Sequence, residues 1–112
     1  MKSKKADEYI GNAALEQRIV AKKSKTRWDL AEWPFFRAIC EVLTTGANKY
    51  SPDQWKTMTG GREHFFSALM RHIDQWKEGQ KIDEETGKSH LVHAACNLMF
   101  LDWLDRRQED GQ

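Results

Sequence analysis

Three apolar stripes at helical spacing, separated by glycine-containing loops, constrain this chain more than any other feature. Phe36, Ile39, Cys40 and Leu43 recur at i, i+3, i+4 and i+7, the spacing of one buried helix face. Pro34 suits the first turn of such a helix, where a missing N–H costs nothing, and Gly46 suits its C′ position. The pattern predicts a helix over 34–45. A broader face follows in Phe65, Phe66, Leu69, Met70, Ile73 and Trp76. It predicts a helix over 62–78, ended by Gly79. Ser89 is a natural N-cap for a third segment, in which Leu91, Ala94, Ala95, Leu98, Leu101 and Leu104 fill the core side to about residue 107. Arg106 and Arg107 suit the negative end of its dipole. β-branched residues are sparse and no strand-like alternation persists, so the expected class is all-α.

Residues 1–26 carry only a weak apolar stripe, Ile10, Ala14, Ile19 and Val20. They read as a basic arm or a helix that needs a partner. Counting that segment, the expected fold is a compact helical bundle of about four helices with two functional loops. Residues 27–107 form its helical domain, the candidate binding domain, and 108–112 a polar tail. A length of 112 residues allows one domain. The 39% hydrophobic content, with five Trp and five Phe, supplies enough large apolar groups to exclude compositional disorder.

The net charge of +1 conceals an asymmetry. Residues 1–27 hold eight Lys and Arg against three acids, and the rest hold ten against fourteen. The run Lys22-Lys23-Ser24-Lys25-Thr26-Arg27 reads either as a phosphate contact or as a solvated linker. No stretch approaches the ~20 apolar residues of a membrane span, and the N-terminal lysines have no apolar core behind them, so no secretory signal is expected. Cys40 and Cys96 are expected to be buried free thiols, since each lies in an apolar stripe and no CxxC occurs. GxxxxGK[ST], HExxH and GxSxG are absent, which sets aside P-loop, zincin and hydrolase-elbow chemistry.

Polar residues interrupt the apolar helices at positions chemistry would use. His90, His93 and Asn97, spaced by three and four, share one stripe of the last helix. They either satisfy one another inside a bundle or face a ligand. His72 falls on the stripe of Phe65, Leu69 and Trp76, and Arg71 lies at its edge beside Ala68. Arg71 reads as a surface ion pair or as a phosphate contact. Asp83-Glu84-Glu85, flanked by glycines, offers the oxygen ligands Mg²⁺ prefers, or is only a solvated loop. In the loop over 47–61, Lys49 is a candidate phosphate cation, and Tyr50 and Trp55 are flat faces for a base. The same two rings also read as plugs closing the bundle.

Taken in order, several blocks resemble one family. They are Arg27-Trp28-Asp29-Leu30, Gly46-Ala47-Asn48-Lys49-Tyr50, Trp55, and Ala68-Leu69-Met70-Arg71-His72-Ile73. Asp83-Glu84-Glu85-Thr86-Gly87 and His90-Leu91-Val92-His93-Ala94-Ala95-Cys96-Asn97 complete the set. The chain over about 26–104 resembles the dATP/dGTP diphosphohydrolases of bacteriophages and prophages, a family related to the all-α MazG-like nucleotide pyrophosphohydrolases. The resemblance implies a helical domain that binds a purine deoxynucleoside triphosphate with Mg²⁺ or Mn²⁺. Cleavage would fall between the α- and β-phosphates. It further implies a homo-oligomer, dimer or tetramer, in the cytoplasm of a bacterial host, with neither membrane nor nucleic acid as partner. By position, Lys49 and Arg71 would face phosphates. Asp83, Glu85 and His72 are the candidate catalytic groups. Asp83 and Glu85, with Glu41, are the candidate metal ligands. His90, His93 and Asn97 would build the pocket with Tyr50 and Trp55.

The chain departs from the MazG-like pattern in one respect. An E-E-x-x-E cluster is expected on one helix and E-x-x-D on the next, but Glu41 stands alone, and Glu63, Asp74 and Glu78 lack that spacing. Gln80 follows Gly79 where the family would place Glu. Two functions follow: a metal-dependent diphosphohydrolase, or a protein that binds a nucleotide or cyclic nucleotide without cleaving it. A third, a nucleic-acid-associated helical module, would depend on the basic arm.

Overall fold

The computed structural model describes residues 25–109 together with Ala14 and Gln17. The chain divides into two units, residues 1–31 and 32–112. The expected weak helix of the arm and most of the basic run lie outside the described residues. In the first unit, a 3-10 turn spans Trp28–Leu30. Arg27 closes a two-bonded pair on Asp29, with Nε and Nη2 2.8 and 2.7 Å from its two carboxylate oxygens.

The second unit is all-helical, as expected. Helix α1 spans Trp33–Lys49, α2 spans Gly61–Lys77 and α3 spans His90–Glu109. A short 3-10 turn, Gln54–Thr57, interrupts the first loop. The second loop is pinched by a single antiparallel bridge between Ile82 and Ser89, the only strand-like pairing among the described residues.

Helix α1 starts where Pro34 allows it, with the Glu32 carboxylate accepting the Phe35 N–H at 2.9 Å. Its end corrects the sequence expectation. Gly46 does not take a left-handed conformation, and the helix continues to Lys49, where the Tyr50 N–H still reaches the Gly46 carbonyl at 2.9 Å. Pro52 is the effective stop, because the residue before a proline is pushed out of the helical region. Helix α2 ends as expected at Gly79, whose φ of 102° is open to glycine alone at low cost. Ser89 caps α3 as expected, its Oγ accepting the Leu91 N–H at 3.0 Å.

Helix α3 packs against both α2 and α1, whereas the backbones of α1 and α2 stay apart. This arrangement explains which stripes were misassigned. A helix with partners on two sides buries residues around its circumference, so Val92, Ala94, Cys96 and Asn97 are all buried. Leu98, expected in the core, is 55% exposed, and Leu91 is exposed as well. On α1, Ile39 and Leu43 are half-buried, but Phe36 and Cys40 face outward. On α2 only Phe65 of the broad stripe is fully covered, and Phe66, Met70 and Trp76 are exposed. Both cysteines are free thiols; Cys96 is buried and Cys40 is not. Burial pushes the Cys96 thiol up to about 11, so it is an inert thiol.

Candidate functional site

Two features meet on α3. The first is a polar knot built by the 82–89 loop. The Asp83 N–H donates to the Lys88 carbonyl at 2.8 Å, and the Gly87 N–H donates to the Asp83 carbonyl at 2.7 Å. Gly87 closes this turn with φ 73°. The Asp83 side chain then acts as the hub of the loop. Its Oδ1 accepts the amides of Glu85 at 2.8 Å and Thr86 at 3.0 Å, and the Thr86 hydroxyl lies 3.4 Å away. Burial pushes the Asp83 carboxyl up. The Thr86 amide, the His93 ring, the Glu85 amide and His72 together outweigh it and hold it below the usual carboxylate range.

Three imidazoles converge on that carboxylate. The His90 backbone N–H donates to the Lys81 carbonyl at 2.9 Å, which ties the first residue of α3 to the loop. His72 of α2 and His90 bring their Nδ1 atoms to 2.8 Å. The His72 and His93 rings stack, with centroids 4.6 Å apart and planes 9° from parallel. The Thr86 hydroxyl and His93 Nε2 are hydrogen-bonded at 2.7 Å. Burial first, then the neighbouring His93 and His90, push His72 down to about 4, against the opposing pull of Asp83. His93 is lowered as well, chiefly by burial. His72 is therefore a neutral ring with an available nitrogen lone pair at neutral pH.

The second feature is a cavity of about 470 Å³ in the gap between α1 and α2, floored by α3. Val42, Leu43 and Gly46 line one side and Phe65 and His64 the other. Tyr50 and Trp55 stand at the loop side, and His93 and Asn97 contribute polar atoms from α3. Gly46 presents open space to the cavity, with nothing within 4 Å of where a Cβ would stand. Trp55 is also packed, its ring centroid 4.6 Å from Phe100 and 5.1 Å from Trp103, so it both closes the fold and walls the cavity. Tyr50 is 65% exposed and available to a ligand. The Asn97 amide donates to the His93 carbonyl at 2.9 Å and stabilises the turn that presents His93.

The structure thus brings together His72, Asp83, His90 and His93, and sets Tyr50, Trp55, His93 and Asn97 around the cavity. It does not bring the three expected metal carboxylates together. Asp83 shares a donor cluster with His72 and His90, without Glu41 or Glu85. Glu41 pairs with Lys88, which holds its carboxyl below the ordinary range. Glu85 pairs with Lys49 at 3.5 Å. Arg71 lies exposed on α2. Sequence reasoning assigned no role to Thr86 or His64. Thr86 was visible as the residue after the acidic run, where a hydroxyl can return to an Asp three positions earlier. No spacing rule placed His64.

The residues in this knot and cavity include most of the sequence blocks that suggested a family. A family model described as dATP/dGTP diphosphohydrolase, N-terminal, matches residues 16–112. A dATP/dGTP diphosphohydrolase of Salmonella phage PMBT28 is 32% identical over 82 residues, covering 73% of this chain. Those residues are 28% of that relative, so the chain spans little more than a quarter of its length. No solved structure matches. No helix among the described residues is long and apolar enough to cross a membrane.

Proposed function

The chain belongs to the dATP/dGTP diphosphohydrolase family, and we propose that it hydrolyses a purine deoxynucleoside triphosphate to the monophosphate and pyrophosphate. In this reaction water adds its oxygen to the α-phosphorus, and the bond from that phosphorus to the bridging oxygen breaks. Pyrophosphate leaves with that oxygen. The observation that carries the reading is the adjacency of an aromatic-walled cavity to a carboxylate–histidine cluster, with His93 belonging to both. A cavity of about 470 Å³ falls within the range of small-ligand sites, and Tyr50 and Trp55 offer faces on which a purine stacks. Lys49, beside the acidic loop, supplies charge for a phosphate. Asp83 supplies an oxygen donor for Mg²⁺ or Mn²⁺, and Glu85, on the same loop, would join it only on releasing Lys49. Such a cation, when bound, would neutralise phosphate charge and activate water.

Support for assembly as a homo-oligomer comes from α1 and α2. They leave Trp33 and Phe36, and Phe66 and Met70, 47–55% exposed, large apolar side chains of the kind a second copy would cover.

Capture without cleavage is the second reading. It is favoured by the engagement of Glu41 and Glu85 with lysines, which leaves a single carboxylate in the donor cluster. Incubation with dATP and dGTP in Mg²⁺ or Mn²⁺, read by mass spectrometry, separates the two. Monophosphate and pyrophosphate are expected, and Asp83→Asn is expected to abolish them. Intact, releasable nucleotide identifies a binder and overturns hydrolysis.

A further inference from the structure

We propose that His72, Asp83 and His90 form a binding site for one transition-metal ion, of the Mn²⁺, Co²⁺ or Zn²⁺ class, with a preference over Mg²⁺. Each residue offers one donor atom, and the three atoms lie within 4.8 Å of one another. They come from three separate elements: α2, the 82–89 loop and the start of α3. Among the described residues no other trio of His, Cys, Asp or Glu is gathered this way.

Independent support comes from His90. Among the described residues it is the one large side chain that is fully enclosed, at 1% exposure, and its Nε2 has no hydrogen-bond partner. Its other nitrogen faces only the Nδ1 of His72. Two neutral imidazoles can share a single proton across that 2.8 Å contact, yet whichever way it lies, His90 keeps an unmet polar atom. Such an atom is destabilising when buried. The ring therefore holds coordinating capacity that the protein itself does not use. Asp83 is poised similarly: the hydrogen bonds its carboxylate accepts within the loop all fall on Oδ1.

The donor chemistry selects the ion. Mg²⁺ takes oxygen ligands and gives up water reluctantly, whereas two imidazoles and one carboxylate suit the later first-row divalent ions. Three protein ligands would leave positions open for water or a ligand oxygen. The neighbouring groups are arranged as metal sites require, since outer partners orient the ligating rings. His93 stacks on His72 and is itself held by Thr86, whose amide is bound to Asp83. Because His93 also lines the cavity, an ion held here would sit beside whatever the cavity takes. The site shares Asp83 with the hydrolysis reading but does not depend on it.

The test uses the full chain, stripped with a chelator and free of nucleotide. Calorimetric titration with Zn²⁺, Mn²⁺ and Mg²⁺ gives affinities, and titration with Co²⁺ gives a visible absorption spectrum that reports nitrogen ligation. One equivalent per chain is expected for Zn²⁺ and Co²⁺, bound at least ~100-fold more tightly than Mg²⁺. His72→Asn and Asp83→Asn are each expected to weaken binding by roughly 10–100-fold or more, with helical circular dichroism retained. His64→Gln, in the cavity but outside the trio, should leave the affinity unchanged. Equal affinity for Mg²⁺ and Co²⁺, or full binding by a folded His72→Asn, overturns the site. Tight Co²⁺ binding without nucleotide cleavage sustains the site and ends the hydrolysis reading. Cleavage that needs only Mg²⁺, with no tight Co²⁺ or Zn²⁺ binding, does the reverse.

Discussion

The polar knot around Asp83 and the aromatic cavity beside it share one side chain, His93, yet they are held by opposite physics. The knot is short-range and directional. Its loop folds on its own carboxylate, and hydrogen bonds of 2.7–3.0 Å hold Thr86 and Gly87 in place. The cavity is long-range and weakly directional. It exists because α1 and α2 each lean on α3 with their backbones apart, and its walls are mostly apolar side chains. A directional cluster of this kind sets chemistry at one point, whereas an apolar gap sets the size and flatness of what can enter. Their meeting at His93 lets binding in one affect the other.

The comparison breaks most severely at Phe65. This ring is buried and packs on Phe100, with centroids 4.9 Å apart. Phe65→Ala should cost about 3–5 kcal/mol in urea unfolding, since the cavity wall cannot close over the loss. Asp83→Ala tests the other region. Removing the acceptor strands the Thr86 and Glu85 amides and should cost about 1–3 kcal/mol, with the loss of chelator-sensitive metal binding as a separate readout. An equal loss of stability in the two variants would erase the distinction drawn between them.

Tyr50→Ala sharpens the contrast from the cavity side. The ring is mostly exposed, so the unfolding midpoint should hardly move. Nucleotide affinity measured by calorimetry should fall by about 1–3 kcal/mol if a base stacks there. Unchanged affinity would assign Tyr50 no part in binding.

The knot should also respond to pH in a window of its own. An unfolded imidazole takes up its proton near 6.5, while folded His72 resists to about 4. Its contribution is therefore fully present above 6.5 and is lost as the pH falls toward 4. Asp83, held below the ordinary carboxylate range, acts only at still lower pH. The Tm should decline between pH 7 and pH 5, and His72→Gln should flatten that decline. The smallest effect is expected at Glu41. Its pair with Lys88 is exposed, and Glu41→Gln should leave the Tm unchanged with nucleotide turnover unaffected by its loss as a ligand. A large fall in turnover would return Glu41 to the metal side.

Much of the local structure was legible in the residues. Gly79, Ser89 and Pro34 act where their backbone chemistry demands, and the i, i+3, i+7 placement of His90, His93 and Asn97 put them on one stripe. The misreadings came from elements whose environment is shared. Gly46 stays helical because nothing forces its backbone over, and the chain turns only at Pro52. Leu98 and Phe36 carry the right spacing for burial but stay exposed, although the Phe36 ring meets Trp33 edge-on.

By itself the sequence determined an all-α chain, the stop at Gly79 and the cap at Ser89, a carboxylate loop ahead of a histidine stripe, and family membership. These depend on contacts within a few residues or on the order of residues along the chain. Only the tertiary structure decided that His72 meets His90, that Asp83 joins them while Glu41 and Glu85 turn to lysines, and that a cavity opens between α1 and α2. Those outcomes depend on the register of helices that are distant along the chain, and that register is set by packing on both sides of α3.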